Sequence, residues 1–324
     1  MYILLIIFVV LIFYFFFKPI LFPPPPPTPI DPNTKNLPKF PTDLPTESLI
    51  TDNKYSSTVA LFCIYLIQLM VLVYKSNQFD VTDPEPSVSR QLTPFLPKDA
   101  KIIQFLKWSC PFGKQFYGGF ILEYQNTSFI VFRGTQEECE WFSDFEIKLI
   151  SPEWIPPLLG AKVHSGFNNT YTDDKHGPSL RDRILQYINS SPSKEFVFTG
   201  HSLGGGLCFL IAADLAANFP NLRQKSKFYT FAGPYSGNAA FVDLIMKYSS
   251  YSGIFSTINT LDPVPTNHLS GFQRVPTQLY CFTEKGSNGL GSVHFPDTYR
   301  LGLENNKAIF DSSPANQTCP SNIS

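Results

Sequence analysis

The sequence predicts an α/β protein: a mostly parallel central sheet flanked by helices. Three observations carry that prediction. From Phe116 onward, short apolar runs alternate with helical stretches of about 10–15 residues, the pattern of crossover connections. One such run passes through a glycine-bracketed turn straight into an apolar helix, Leu203 to Ala217. The composition, 43% hydrophobic and 15% aromatic over 324 residues, suffices for a core on both faces of a sheet. The balance of charge excludes one broad class of function. With 25 Lys plus Arg against 26 Asp plus Glu, the net charge is -1, and no basic surplus exists to neutralise nucleic-acid phosphates.

Residues Met1 to Phe17 carry no charged side chain, and the apolar run extends to Phe22 if Lys18 snorkels. A membrane span needs about 17–25 apolar residues, so residues 1–22 are expected to form a single-pass anchor. The alternative is secretion after signal-peptide cleavage. Against it, no positive segment precedes the run and no small-residue cleavage site follows. Ten of the 29 prolines fall between Pro23 and Pro45, five of them consecutive. Residues 23–45 are therefore expected to be a stiff polyproline spacer. The globular body is expected over 46–324. Its first apolar run, Val59 to Tyr74, is short for a span and contains Gln68, so it is expected to be a core helix.

Within the body, strands are expected at Phe116 to Tyr124 and through Phe132, with a turn at Gln125-Asn126-Thr127. Further strands are expected at Glu195 to Thr199, Lys227 to Phe231, Ile254 to Leu261 and Thr277 to Thr283. Helices are expected at Arg181 to Ile188, Leu203 to Ala217 and Asn238 to Tyr248. In a parallel sheet, ligands bind beyond the carboxyl ends of the strands, so functional residues are sought there. The six cysteines lie far apart without a C-x-x-C pair, so neither a zinc nor a redox motif is expected. Five N-x-S/T triplets, at Asn126, Asn168, Asn189, Asn316 and Asn322, do not decide the compartment.

The chemistry centres on Gly200-His201-Ser202-Leu203-Gly204, which follows the run EFVFT and opens a helix. This is G-x-S-x-G in its strand–turn–helix setting. A sharp turn there forces strained backbone angles on the serine and presents its hydroxyl at the top of the sheet, beside a helix N-terminus. A phosphate-binding loop would instead need G-x-G-x-x-G or a Lys after the glycines. A serine nucleophile needs a base oriented by an acid, in the chain order Ser, acid, His. Asp262 ends an expected strand and is stiffened by Pro263 and Pro265. Asp214 and Asp243 lie within helices, and Asp297 is too near the downstream histidine. Of the two histidines beyond Ser202, His294 is the expected base, and His268 is the alternative, six residues past Asp262. An oxyanion hole needs two donors. They are expected to be the Leu203 N–H and the Thr135 N–H, the latter closing Phe132-Arg133-Gly134-Thr135.

These residues resemble the fungal-type class 3 lipase family. GHSLGG at 200–205 looks like its nucleophile elbow and VFRGT at 131–135 its oxyanion strand. Trp141 and Asp144 match the W-x-x-D that follows. KVHSGF at 162–167, YTFAGPYSGNAAF at 229–241 and LDPVP at 261–265 continue the blocks in order. The resemblance implies an α/β-hydrolase fold and cleavage of carboxylic esters, typically acylglycerols. By motif match, Ser202, Asp262 and His294 form the triad and Thr135 the oxyanion site. It also implies a lid close after the oxyanion loop, around Gln136 to Ser143.

The expected reaction is acyl transfer through Ser202, with no metal or organic cofactor. The expected partners are a glycerolipid or other long-chain ester and a membrane or oil–water interface, with no nucleic acid. Two other readings stand beside it. One is a phospholipase acting on the adjacent bilayer, and the other a non-catalytic tethered interaction protein that kept the fold.

Overall fold

The computed structural model describes residues 55–75, 88–89, 92–109, 115–136, 148–193, 195–247, 253–286, 290–312 and Cys319. The expected anchor, the proline-rich spacer, most of the expected lid, and Trp141 with Asp144 lie outside the described residues. Among the described residues, no helix is long and apolar enough to cross a membrane.

The strands are β1 (Lys101–Ser109), β2 (Gln115–Tyr124), β3 (Thr127–Phe132), β4 (Leu149–Ile150), β5 (Val163–His164), β6 (Glu195–His201), β7 (Ser226–Phe231), β8 (Ile254–Asn259) and β9 (Gln278–Phe282). Seven form one sheet in the order β1-β2-β3-β6-β7-β8-β9, and β4 and β5 pair separately. β1, β2 and β3 run antiparallel to one another. From β3 to β9 every pairing is parallel. The registers level the strand ends: Phe132 stands opposite Gly200, His201 opposite Phe231, Phe231 opposite Thr257 and Asn259 opposite Phe282. The carboxyl ends of five strands thus share one rim of the sheet.

β6 is buried at all seven positions, as its unbroken apolar run requires for a strand covered on both faces. β1 was not among the expected strands. It sits at the sheet edge and carries Lys101 and Lys107, charges that blunt an edge against unwanted pairing and also break the apolar signal.

One face of the sheet is covered by α1 (Ser57–Lys75), the expected core helix, which crosses β2, β3, β6 and β7. Gln68, the polar interruption in its apolar run, donates from Nε2 to Asp297 Oδ1. The other face is covered by α2 (Ser165–Thr172), α3 (Leu180–Ser190), α4 (Leu203–Asn218) and α5 (Ala239–Met246). The last helix, α6 (Pro296–Ser312), packs along α1 and against β8 and β9. Ser179 caps α3 in a reciprocal box with Asp182, which satisfies two orphan N–H groups. α2 and α6 were not expected. α2 is only eight residues with three consecutive polar positions, Asn168-Asn169-Thr170, and α6 is interrupted by Gly302 and Asn305-Asn306.

Asp214, excluded above as the triad acid because it lies in a helix, has a structural task. Its side chain is fully buried. Arg181 donates to it from Nε at 2.6 Å and from Nη2 at 3.1 Å. Tyr171 Oη donates at 2.9 Å and Asn218 Nδ2 at 2.7 Å. One carboxylate therefore ties α2, α3 and α4 together. Removing one partner of a buried ion pair costs about 3–5 kcal/mol. Arg181 keeps 23% exposure and can be partly rehydrated, so the low end applies. Asp214→Ala is expected to lower the unfolding free energy by about 3 kcal/mol, read by urea denaturation. A change under about 1 kcal/mol would contradict this account.

Cys281 in β9 forms a disulfide with Cys319, 38 residues later, with a Cα–Cα distance of 5.5 Å. Cys63 and Cys208 are free and buried.

Candidate active site

The rim defined by the strand ends collects the expected residues. Ser202 follows β6 directly, at φ 55° and ψ -120°. This is a costly conformation for a residue with a side chain, and it persists only where the surroundings fix it. Here they do. The Ser202 N–H donates to Phe231 O at the end of β7 (2.9 Å), and Ser202 O accepts from Gly206 N (3.0 Å) in the first turn of α4.

Glycine makes the turn possible by removing side chains. A Cβ on Gly204 would lie 2.7 Å from Phe132 O and 2.8 Å from Arg133 O, so the helix start presses directly on the end of β3. The third glycine, Gly206, leaves room for the ring of Phe167, which a Cβ there would approach to 2.6 Å.

Asp262 lies three residues past β8 and is fully buried. Its Oδ1 accepts from Val264 N at 2.9 Å, capping the helical turn Pro263–Thr266. Its Oδ2 faces His294 Nδ1 at 2.7 Å. The other ring nitrogen, His294 Nε2, stands 2.9 Å from Ser202 Oγ. A relay of hydroxyl, imidazole and carboxylate is thus assembled from residues 92 and 32 positions apart. The His294 side chain keeps 18% exposure, so the relay opens to solvent at its nucleophile end and is buried at its acid end. The rival base, His268, packs its ring edge-on to Tyr235, 5.7 Å between centroids.

Three further residues hold the site, and sequence reasoning did not single them out. Tyr299, buried in α6, donates from Oη to Asp262 Oδ2 at 2.7 Å, a second donor beside the imidazole. Burial first, and then the Asp262 charge, push its pKa well up, so it stays a donor. Arg133 is fully buried. It donates from Nε to Tyr117 O and from Nη1 to Gly134 O, each at 2.8 Å, with its guanidinium over the Trp108 ring. This fixes the loop that expected donor Thr135 belongs to. Gly134 backs onto the elbow, since a Cβ there would lie 3.1 Å from Ser202 Cβ. Thr135 and Leu203, the two expected oxyanion donors, are thus each next in chain to one of two residues in mutual contact. The third is Asn259, the last residue of β8. Arg133 lay inside a recognised block, but nothing in the sequence distinguishes Tyr299 from other aromatic residues.

His201, the residue before the nucleophile, packs its ring against the relay. Its ring centroid is 4.8 Å from His294 and 5.5 Å from Tyr299. Burial, and next the charge of His294, lower its pKa well below the ordinary 6.5. It is neutral when folded and takes up a proton on unfolding below about pH 6.5. Its depressed folded pKa therefore gives full stability above that pH and a progressive loss as pH falls beneath it. Thermal unfolding midpoints between pH 7 and 5 are expected to fall more steeply for the wild type than for His201→Asn. Parallel slopes would contradict this.

A profile of the family Lipase (class 3) matches residues 129–271, a stretch that holds Thr135, Ser202, Leu203 and Asp262. A lipase of Rhizomucor miehei is 33% identical over 178 residues, which cover 55% of this chain and 45% of that protein. Over that stretch the chain is similar to the class 3 lipase family.

The family's match stops before His294, whose place beside Ser202 rests on the 2.9 Å approach of its Nε2 to Oγ. Another relative is a chloroplastic phospholipase A1 of Arabidopsis thaliana, 30% identical over 183 residues, or 48% of this chain and 38% of that one. The chain spans less than half the length of these curated relatives. Among solved structures, lipase II from Rhizopus niveus superimposes with a TM-score of 0.50 at 22% identity, covering 75% of this chain and 90% of that one. This likeness, with the mostly parallel sheet and its flanking helices, fits the α/β-hydrolase fold.

Proposed function

We propose that the chain is a serine carboxylic-ester hydrolase that cleaves acyl esters of glycerolipids through an acyl-enzyme. The observation that carries the reading is the continuous relay Ser202 Oγ–His294 Nε2 and His294 Nδ1–Asp262 Oδ2, at 2.9 and 2.7 Å.

His294 Nε2 takes the hydroxyl proton as Ser202 Oγ attacks the ester carbonyl. The carbonyl π electrons move to oxygen, which the N–H groups of Leu203 and Thr135 stabilise. Asp262 holds the imidazolium formed at this step. The tetrahedral intermediate collapses, and His294 returns the proton to the departing alcohol. Water then enters, loses its proton to the same nitrogen and releases the fatty acid from Ser202. The similarity to lipases supports an ester substrate. Exposed apolar side chains beside the acid and the base, Leu261 (43% exposed) and Phe295 (51% exposed), support a long acyl chain.

The organisation proposed with this activity is an anchor at 1–22, a spacer at 23–45 and the hydrolase body at 46–324. It places the reaction at a membrane or an oil–water interface, with secretion after cleavage as the alternative. A phospholipase reading is favoured by one observation, the phospholipase A1 relatives.

Turnover by the full-length chain of p-nitrophenyl esters, emulsified triacylglycerol and phosphatidylcholine vesicles tests the proposal. Release of fatty acid from triacylglycerol is expected. Exclusive release from phosphatidylcholine would move the assignment to phospholipase. No hydrolysis of any substrate, with no fluorophosphonate bound at Ser202, would overturn it.

A further inference from the structure

We propose that Asn259 is a positioning residue for the base: its side chain clamps both ends of the chain excursion that delivers His294 to the relay. The inference rests on the triad reading above and deepens it.

Asn259 ends β8 and is fully buried. A carboxamide has two N–H donors and an oxygen able to accept twice, and all four capacities are used. Nδ2 donates to Glu284 O at 2.8 Å and to Val293 O at 3.0 Å. Oδ1 accepts from Glu284 N at 3.1 Å and from Leu261 N at 3.3 Å. The backbone joins the same group. Asn259 N donates to Tyr299 Oη at 3.3 Å, and Asn259 O accepts from Asp262 N at 3.0 Å.

The partners make the pattern functional. Glu284 is two residues past the end of β9, where the chain leaves the ladder, and Val293 is the residue before His294. The two donors of one amide therefore close the span from 284 to 293 at its entrance and its exit. Leu261 and Asp262 belong to the acid's turn, and Tyr299 donates to the acid itself. Asn259 thus fixes the base relative to the acid, through the backbone on either side of each. No other side-chain type of this size offers two donors and a doubly accepting oxygen in one plane. An aspartate would set a carboxylate against two carbonyl oxygens, and a leucine of similar volume would leave all four partners unpaired.

The consequence concerns rate more than binding. A catalytic group displaced by about 1 Å costs about 100-fold in turnover, while the ester's own contacts lie elsewhere. The test uses Asn259→Leu and Asn259→Ser in the full-length chain, assayed on a soluble p-nitrophenyl ester well below each thermal midpoint. Folded protein of either variant is expected to show kcat lowered about 100-fold and KM within about threefold of wild type. Phosphonylation of Ser202 by a fluorophosphonate should slow in step. Wild-type kcat in folded protein, even with a lowered midpoint, would overturn the proposal and leave Asn259 a stability residue. If neither variant folds, the side-chain amide resonances of wild-type Asn259 decide. They are expected to shift when phosphonylation of Ser202 alters the His294 ring, and identical resonances in free and labelled protein would overturn the proposal. A wild-type chain that neither turns over ester nor takes the label defeats the triad reading itself, a result distinct from every outcome for the variants.

Discussion

Replacing Ser202 by alanine is expected to lower kcat/KM for a soluble ester about 10⁶-fold, the scale seen when the nucleophile of a serine triad is removed. The attacking oxygen is lost, and the remaining imidazole and oxyanion donors act only weakly on bulk water. The fold should be untroubled at the level of packing, since Ser202 Oγ reaches the rim and pairs with His294 Nε2. The strained φ of 55° remains with alanine, so the thermal midpoint should stay within a few degrees of wild type. Steady-state turnover with intact-mass detection of a phosphonyl adduct checks the activity, and a thermal melt checks the midpoint. Activity within tenfold of wild type in protein freed of other esterases would end the assignment.

Asp262→Asn is expected to cost about 10⁴-fold in kcat with little change in substrate affinity. The reason is local. Oδ2 of Asp262 faces two donors at once, His294 Nδ1 and Tyr299 Oη, each at 2.7 Å, while Oδ1 accepts from Val264 N at 2.9 Å. An amide cannot accept at both positions. With its NH2 towards the imidazole, it faces Tyr299 Oη as a donor and compels His294 Nδ1 to accept. The proton then sits on Nε2, which no longer takes one from Ser202. Flipped, the amide presents its NH2 to the Val264 N–H instead. A Tyr299→Phe chain keeps the carboxylate and loses one of its donors, so a smaller loss, about tenfold, is expected there. If Asp262→Asn retained more than a tenth of wild-type kcat, the carboxylate would have no role in orienting the base.

The parts of the site legible in the sequence are those whose chemistry is local. The elbow could be read because a serine between spaced glycines, after one apolar run and before another, has few structural uses. Asp262 could be read from its place at a strand end with prolines behind it. His294 could be preferred because His268 stands only six residues past Asp262, and the meeting of the β8 and β9 exits shows how the more distant ring reaches Ser202.

Tyr299, Arg133 and Asn259 were not singled out, for a common reason. Each acts by hydrogen bonds to backbone or to a carboxylate distant in sequence, and a buried Tyr, Arg or Asn leaves no periodic trace. β1 was missed because its lysines mask the apolar alternation, whereas β3 and β6, buried on both faces, declare themselves. α1 was readable as a core helix, but the partner of its Gln68 lies 229 residues away.

The link between Cys281 and Cys319 has a practical corollary. The chain between them carries both the imidazole of the relay and the phenol that steadies its acid. A protease nick anywhere in that arc would produce two fragments that still migrate together under oxidising conditions. Electrophoresis of a purified preparation would then report one intact band even where a cut before residue 294 has left the base on a different polypeptide from the nucleophile. Adding a thiol before the gel separates the fragments, so a preparation of low specific activity should be run both ways before its loss is blamed on chemistry.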